Sequence, residues 1–184
     1  MLSRLILRDG WIKGVAHVPS ENFDERPIAD VPELLVIHCI SLPPGEYGGR
    51  EVCDFFQNQL DCSAHSYFEG IQHLQVSSHF LIERTGRIVQ FVSTDHRAWH
   101  AGESEYHGRT TVNNFSIGIE LEGMDDDIFE KEQYTALAAL SRTLIEAYPL
   151  INSDSIVGHS DIAPGRKTDP GIGFDWSRYK QSIC

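Results

Sequence analysis

A histidine, a lysine and an aspartate lie close together in the run Gly158-His159-Ser160-Asp161-Ile162-Ala163-Pro164-Gly165-Arg166-Lys167-Thr168-Asp169-Pro170-Gly171. Imidazole and carboxylate are two of the three side-chain types that hold zinc, and a lysine beside them is a fixed positive point charge. Pro164, Gly165 and Pro170 argue against a helix, so the run reads as a loop. It follows a short β-branched segment, Ser155-Ile156-Val157, which places His159 where a strand ends and a site can open. This loop supplies half of a metal site, and the other half must come from elsewhere in the chain.

Nine histidines are too many for all to be ligands. His38 stands out because it ends an apolar segment, as His159 follows one, so both can face one crevice at the carboxyl edge of a sheet. Loops rich in proline and glycine follow both. His79 lies inside a strand pattern, and His65, His73, His96 and His107 lie in loop-like contexts. Two neutral imidazoles and one carboxylate, from His38, His159 and Asp169, leave a fourth position for water, which is the catalytic pattern for Zn2+. Zinc so bound lowers the pKa of water to about 7. Cys39 is a possible fourth ligand that would close the site, but adjacent strand residues face opposite ways. A hydrolytic site also needs a general base and an oxyanion partner. Glu120 and Glu122 both qualify as the base; Gly118 would clear space for substrate on their strand face. Lys167 fits the oxyanion role.

The elements that must position these groups are legible in outline. Glu33-Leu34-Leu35-Val36-Ile37-His38 is apolar without alternation, the mark of a strand buried on both faces. A short strand is expected around Gly14–His17, and a loop over Ser41–Gly49. A helix is expected from Arg50 to Leu60, with Val52, Phe55, Phe56 and Leu60 on one face. Val76–Arg84 and Arg87–Val92 flank Thr85-Gly86 as a hairpin, and Ala98–Asn114 lacks periodicity and reads as a long loop. Ser116–Glu122 alternates, with Ile117, Ile119 and Leu121 on the core face. Glu130 to Tyr148 is the strongest helix, with Pro149 ending it. Ser155–Gly158 is a last strand and Asp175–Gln181 a short terminal helix. The expected architecture is one domain over residues 1–184, α/β or α+β in class, with a central mixed sheet flanked by helices.

Composition bounds the function. The chain has 184 residues, 41% of them hydrophobic, enough for a single core. No apolar run reaches the roughly 18 residues of a membrane span. The first ten residues are interrupted by Arg4, Arg8 and Asp9 before a secretory core can develop, so a cytoplasmic location is expected. Cys39, Cys53, Cys62 and Cys184 show no framework spacing, so reduced thiols are expected. A net charge of −12 repels phosphate backbones and argues against a nucleic-acid partner. An anionic ligand would need local compensation, which Arg166 and Lys167 offer.

These residues resemble the N-acetylmuramoyl-L-alanine amidase type 2 family. The likeness rests on Val36-Ile37-His38, on Ser116–Gly123 and on Gly158–Gly171. Ser41–Gly49, Phe80–Phe91 and Ala98-Trp99-His100-Ala101-Gly102 bring it closer to the branch that acts on 1,6-anhydromuropeptides in peptidoglycan recycling. It spans nearly the whole chain, from Gly10-Trp11 to Phe174-Asp175-Trp176. The resemblance implies a mixed sheet between helices and Zn2+ held by His38, His159 and Asp169. It implies catalysis by Glu120, rather than Glu122, with Lys167. The substrates it implies are peptidoglycan fragments (anhydromuropeptides), cleaved at the amide between the lactyl group of muramic acid and L-alanine. Trp99, Arg109 and Phe56 are the expected substrate contacts. Cys39 stands where this branch usually has asparagine, and Gln75 and Thr111 where arginines are expected to meet the stem peptide. A non-catalytic binder of the same fragments and an exported wall-remodelling amidase are the competing functions.

Overall fold

Four consecutive apolar residues, Leu34 to Ile37, are tolerated in a strand only if both of its faces are covered. In the computed structural model, which describes residues 4–183, this segment is near the middle of a six-stranded sheet and is at most 1% exposed at each of the four positions. The strands are β1 (Ala16–His17), β2 (Leu34–Ile40), β3 (Phe80–Ile82), β4 (Ile88–Gln90), β5 (Ser116–Glu122) and β6 (Ile156–Gly158). Their spatial order is β6-β2-β5-β3-β4-β1. All neighbours run parallel except the hairpin pair β3 and β4, where Ile82 faces Ile88 across Thr85-Gly86. The sheet is mixed, as expected.

Five helices, α1 (Glu51–Phe56), α2 (Ser66–Ile71), α3 (Lys131–Ala147), α4 (His159–Ile162) and α5 (Trp176–Ile183), accompany it. On one face Leu35, Ile37, Ile117, Ile119, Leu121, Phe80 and Ile82 pack with Tyr134, Leu137, Leu140 and Leu144 of α3 and with Tyr179 and Ile183 of α5. A second cluster joins Leu81 and Val89 to Val52, Phe55 and Phe56 of α1 and Phe68 of α2. Helix α3 begins where expected because Glu130 and Gln133 form a reciprocal capping box. Gln133 is itself buried and donates to the carbonyls of Ile82 and Glu122, tying the helix start to two strand ends.

Several expected boundaries shift for local reasons. Helix α1 stops at Phe56, short of Leu60, because Asn58 adopts a left-handed φ of 60°. Helix α2 lies in a stretch with no helix expected. The long loop over 98–114 contains a two-residue hairpin, Glu105–Tyr106 with Arg109–Thr110, turned by His107 and Gly108 at φ 49° and 80°. It ends in a 3-10 turn over Val112–Phe115. The loop after β6 starts with one helical turn, α4, which ends before Pro164. Strand β5 is buried at all seven positions, so its polar face is not a solvated one. Among the described residues no helix is long and apolar enough to cross a membrane.

Leu137 is fully buried between α3 and the sheet, on the face opposite the histidines. Leu137→Ala is expected to lower stability by about 2–5 kcal/mol, read as a reduced urea midpoint, through the lost burial and the cavity left behind. Metal binding per folded molecule should stay at the parent value.

Candidate metal centre

The parallel register of β2 against β5 sets His38 directly opposite Glu120, and β6 on the other side of β2 ends at Gly158, just before His159. All three residues therefore reach the carboxyl edge of the sheet together, where open α/β sheets bind ligands. Nδ1 of His38 lies 2.9 Å from Nδ1 of His159, and each nitrogen lies 3.1 Å from Oδ2 of Asp169. The edge of a tetrahedron around an ion with zinc-like bond lengths is about 3.3 Å, close to this triangle. Both rings are almost fully buried, and the Asp169 side chain is 14% exposed. Among the described residues this is the one group of three or more His, Cys, Asp or Glu side chains that could hold a metal ion. Two imidazoles and one carboxylate fit a divalent transition metal.

Protonation suits the same role. Burial is the main influence on His38 and lowers its pKa to about 4, against the opposing pull of Asp169. The ring is thus neutral at pH 7 and has a lone pair to offer. Burial pushes the Asp169 carboxyl upward, but hydrogen bonds from His159 and His38 outweigh it and hold the group below the usual carboxylate range. Asp169 is an anion.

The ligand loop is held in place by an acidic turn. Asp125 accepts from Thr168 Oγ1, beside ligand Asp169, and from Cys39 Sγ at 3.4 Å, beside ligand His38. Its carbonyl accepts from the Gly173 amide at 2.9 Å. The chains meet so closely that a Cβ on Gly171 would stand 2.1 Å from the Asp125 carbonyl oxygen, and Gly171 has a φ of 81°. Only glycine fits there without strain. Cys39 points at Asp125 and is outside the ligand triangle.

The triangle opens into a cleft of about 510 Å³ that is also lined by Glu120, Lys167, Phe56 and Trp99. Glu120 Oε2 is buried without a hydrogen-bond partner among the described residues. Burial holds its pKa well above the carboxylate range; Asp169 adds to this and Lys167 opposes it. Glu122 is occupied differently: its carboxylate accepts from the amides of Gly48 at 2.6 Å and Arg84 at 2.9 Å, a structural anchor. Phe56 is buried against the cleft and Trp99 donates through Nε1 to Asp24 at 2.7 Å.

Some expectations need correction. Arg109 does not line the cleft: its guanidinium pairs with Asp30 at 2.9 Å and Glu33 at 2.8 Å and lies over the Phe115 ring. Arg166 donates to the carbonyls of Ala101 and Glu103 rather than facing a ligand. Gln75 and Thr111 are exposed and lie outside the cleft lining. Gly118 clears space for the ring of His100, which a Cβ there would approach to 2.4 Å, and not for substrate. His100 lies in the aperiodic stretch after Ala98, where no pattern within the segment marks it as a site residue. The structure buries it against His38. His79, also buried, accepts from the Gly118 amide and contacts Arg26.

The mixed sheet carries at its carboxyl edge a two-histidine, one-aspartate group that could hold a metal ion, and residues 28–172 match the N-acetylmuramoyl-L-alanine amidase family, Amidase_2, a class of hydrolases to which the chain belongs. Among named relatives, it is 52% identical over 176 residues to the 1,6-anhydro-N-acetylmuramyl-L-alanine amidase AmpD of Escherichia coli (strain K12), covering 96% of each chain. A crystal structure of a selenomethionine AmpD derivative superposes with a TM-score of 0.95 at 51% identity, over 97% of this chain and 99% of that one. The amidase AmiD from E. coli, solved with its substrate anhydro-N-acetylmuramic acid-L-Ala-D-γ-Glu-L-Lys, matches at TM-score 0.60 and 30% identity, over 97% of this chain and 65% of that one.

The burial of the histidines carries a pH signature. An unconstrained imidazole titrates near 6.5, whereas burial lowers His38 to about 4 and His79 to about 3. Between these limits the unfolded chain binds more protons than the folded one, so stability falls as pH falls. Each of these two histidines is expected to cost the metal-free protein about 1.4 kcal/mol for each pH unit below about 6.5, while Glu120, whose carboxyl pKa burial raises, offsets about one such loss, so the urea midpoint is expected to fall from about pH 7.5 to about 5.5. Equal urea midpoints at about pH 7.5 and 5.5 would contradict this.

Proposed function

We propose that this chain is a zinc-dependent amidase of peptidoglycan recycling. It hydrolyses the amide between the lactyl group of muramic acid and L-alanine in (1,6-anhydro)muropeptides. One observation carries the reading: three ligand atoms within about 3 Å of one another share a cleft with Glu120, whose carboxyl has a buried oxygen without a partner. The names of the relatives and the substrate held by AmiD support the choice of bond.

Zinc held by His38, His159 and Asp169 supplies Lewis acidity and water of lowered pKa. Glu120 takes one proton from the attacking water and delivers it to the amide nitrogen as the C–N bond breaks. L-Alanine leaves as a free amine, and the lactyl carbon becomes a carboxylic acid that keeps the water oxygen. The raised pKa of Glu120 suits a group that both accepts and returns a proton. Lys167, the one lysine or arginine in the cleft lining, would offer its ammonium to the negative charge that develops on the carbonyl oxygen. Phe56 and Trp99 supply apolar walls against which sugar or peptide can pack. A cytoplasmic setting belongs to the same proposal and is supported by the free thiols of Cys39, Cys53 and Cys62.

Incubating the zinc-loaded chain with N-acetylmuramoyl and anhydromuramoyl peptides, with and without chelator, tests the reading by mass spectrometry of released peptide. Chelator-sensitive release is expected; tight binding without cleavage of either substrate would replace the amidase with a fragment binder. Asp169→Ala is expected to lose zinc and turnover together. Glu120→Ala should keep zinc while turnover falls by about 10²-fold or more, the scale of a general base. Parent-like turnover in that variant would remove Glu120 from the base role.

A further inference from the structure

The two ligand histidines offer the same atom to the metal position, but their outward nitrogens are controlled differently. Nε2 of His159 lies 3.0 Å from the carbonyl oxygen of Ala101. That oxygen only accepts, so once Nδ1 is given to a metal ion Nε2 keeps the proton and donates it to Ala101, with the Arg166 guanidinium 3.4 Å away. Nε2 of His38 instead faces Nδ1 of His100 at 2.9 Å. An imidazole nitrogen can donate or accept, so this contact alone leaves the His38 tautomer open.

His100 continues the chain by placing Nε2 3.1 Å from Oγ of Ser116, a residue with no exposed surface. Its ring occupies the space that Gly118 leaves by lacking a side chain. Its backbone is pinned as well: the amides of His100 and Ala101 both donate to Asn113 Oδ1, at 3.2 and 2.8 Å. One asparagine thus fixes both the ring behind His38 and the carbonyl behind His159.

We propose that His100 is a positioning residue for metal ligation: it accepts the His38 Nε2 proton at its own Nδ1 and donates its Nε2 proton to Ser116, so that His38 meets the ion through Nδ1. Without this relay, the competing tautomer places the His38 proton on Nδ1, pointing at Asp169, and a metal must displace it. Ligand-orienting partners of this type typically change metal affinity by about 10–100-fold. The inference rests on the zinc reading of the centre.

The test is zinc affinity by competition with a chromophoric chelator, for the parent chain, His100→Leu, His100→Asn and Ser116→Ala. Circular dichroism of each metal-free variant reports on folding. His100→Leu is expected to bind zinc about 10–100-fold more weakly. His100→Asn, whose Oδ1 can stand near the position of Nδ1, should recover most of that loss. Ser116→Ala should shift affinity the same way by a smaller factor. In the zinc-loaded protein the His38 Nε2 proton should be protected from exchange in NMR spectra of the parent and of His100→Asn, and lost in His100→Leu. A folded His100→Leu with parental affinity and a protected His38 proton overturns the proposal. If that variant does not fold, unchanged affinity in Ser116→Ala overturns it. A parent chain that takes up no zinc overturns the zinc reading, and this inference with it.

Discussion

Parallel pairing between Leu34–Ile40 and Ser116–Glu122 is the constraint from which the site follows. Side chains directly opposite in a parallel pair point to the same face, so the pairing of Glu120 with His38 puts a carboxyl beside the first ligand. A shift of one residue would turn Glu120 toward the apolar layer under α3 and leave the cleft without it. The register is secured because Ile117, Ile119 and Leu121 have one place to go, against Leu137, Leu140 and Leu144. Hydrophobic burial on one face thereby fixes polar chemistry on the other.

That polar face is costly to maintain. His38, His79, His100, Ser116, Glu120, Glu122 and His159 are all buried, and a buried polar group without a partner destabilises the fold. Most are answered individually: Glu122 by two backbone amides, His159 by a carbonyl, His79 by the Gly118 amide and the His96 carbonyl. The exception is one oxygen of Glu120. A buried carboxyl oxygen without a partner, in a cleft beside the ligand atoms, is the expected form of a group kept ready for proton transfer.

The acidic turn at Asp125 links the ligands that strand pairing does not reach. Asp169 lies far along the loop after β6 and belongs to no strand. Asp125 binds the neighbours of both Asp169 and His38 through Thr168 and Cys39, and the close approach at Gly171 removes slack from the loop. Cys39 is part of this clasp rather than a metal ligand.

What the chain determines locally was readable from its letters. The non-alternating run before His38 demands a doubly covered strand, the stretch from Glu130 to Tyr148 reads as a helix that Pro149 ends, and proline and glycine open the loop after His159. The resemblance carried by three short motifs named the ligand types and the family. Tertiary structure decided what depends on contacts between distant positions, because periodicity describes a segment and not its neighbours. His38 and His159 meet across 121 positions, and His100 reaches His38 across 62. The alternation of β5 could not separate Glu120 from Glu122, since their difference lies in the amides of Gly48 and Arg84. Nor could it say that Gly118 makes room for an imidazole, or that Asp30 and Glu33 draw Arg109 away from the cleft. Each of these outcomes is set by which partner folding brings within hydrogen-bonding distance, and no pattern within a single element contains that information.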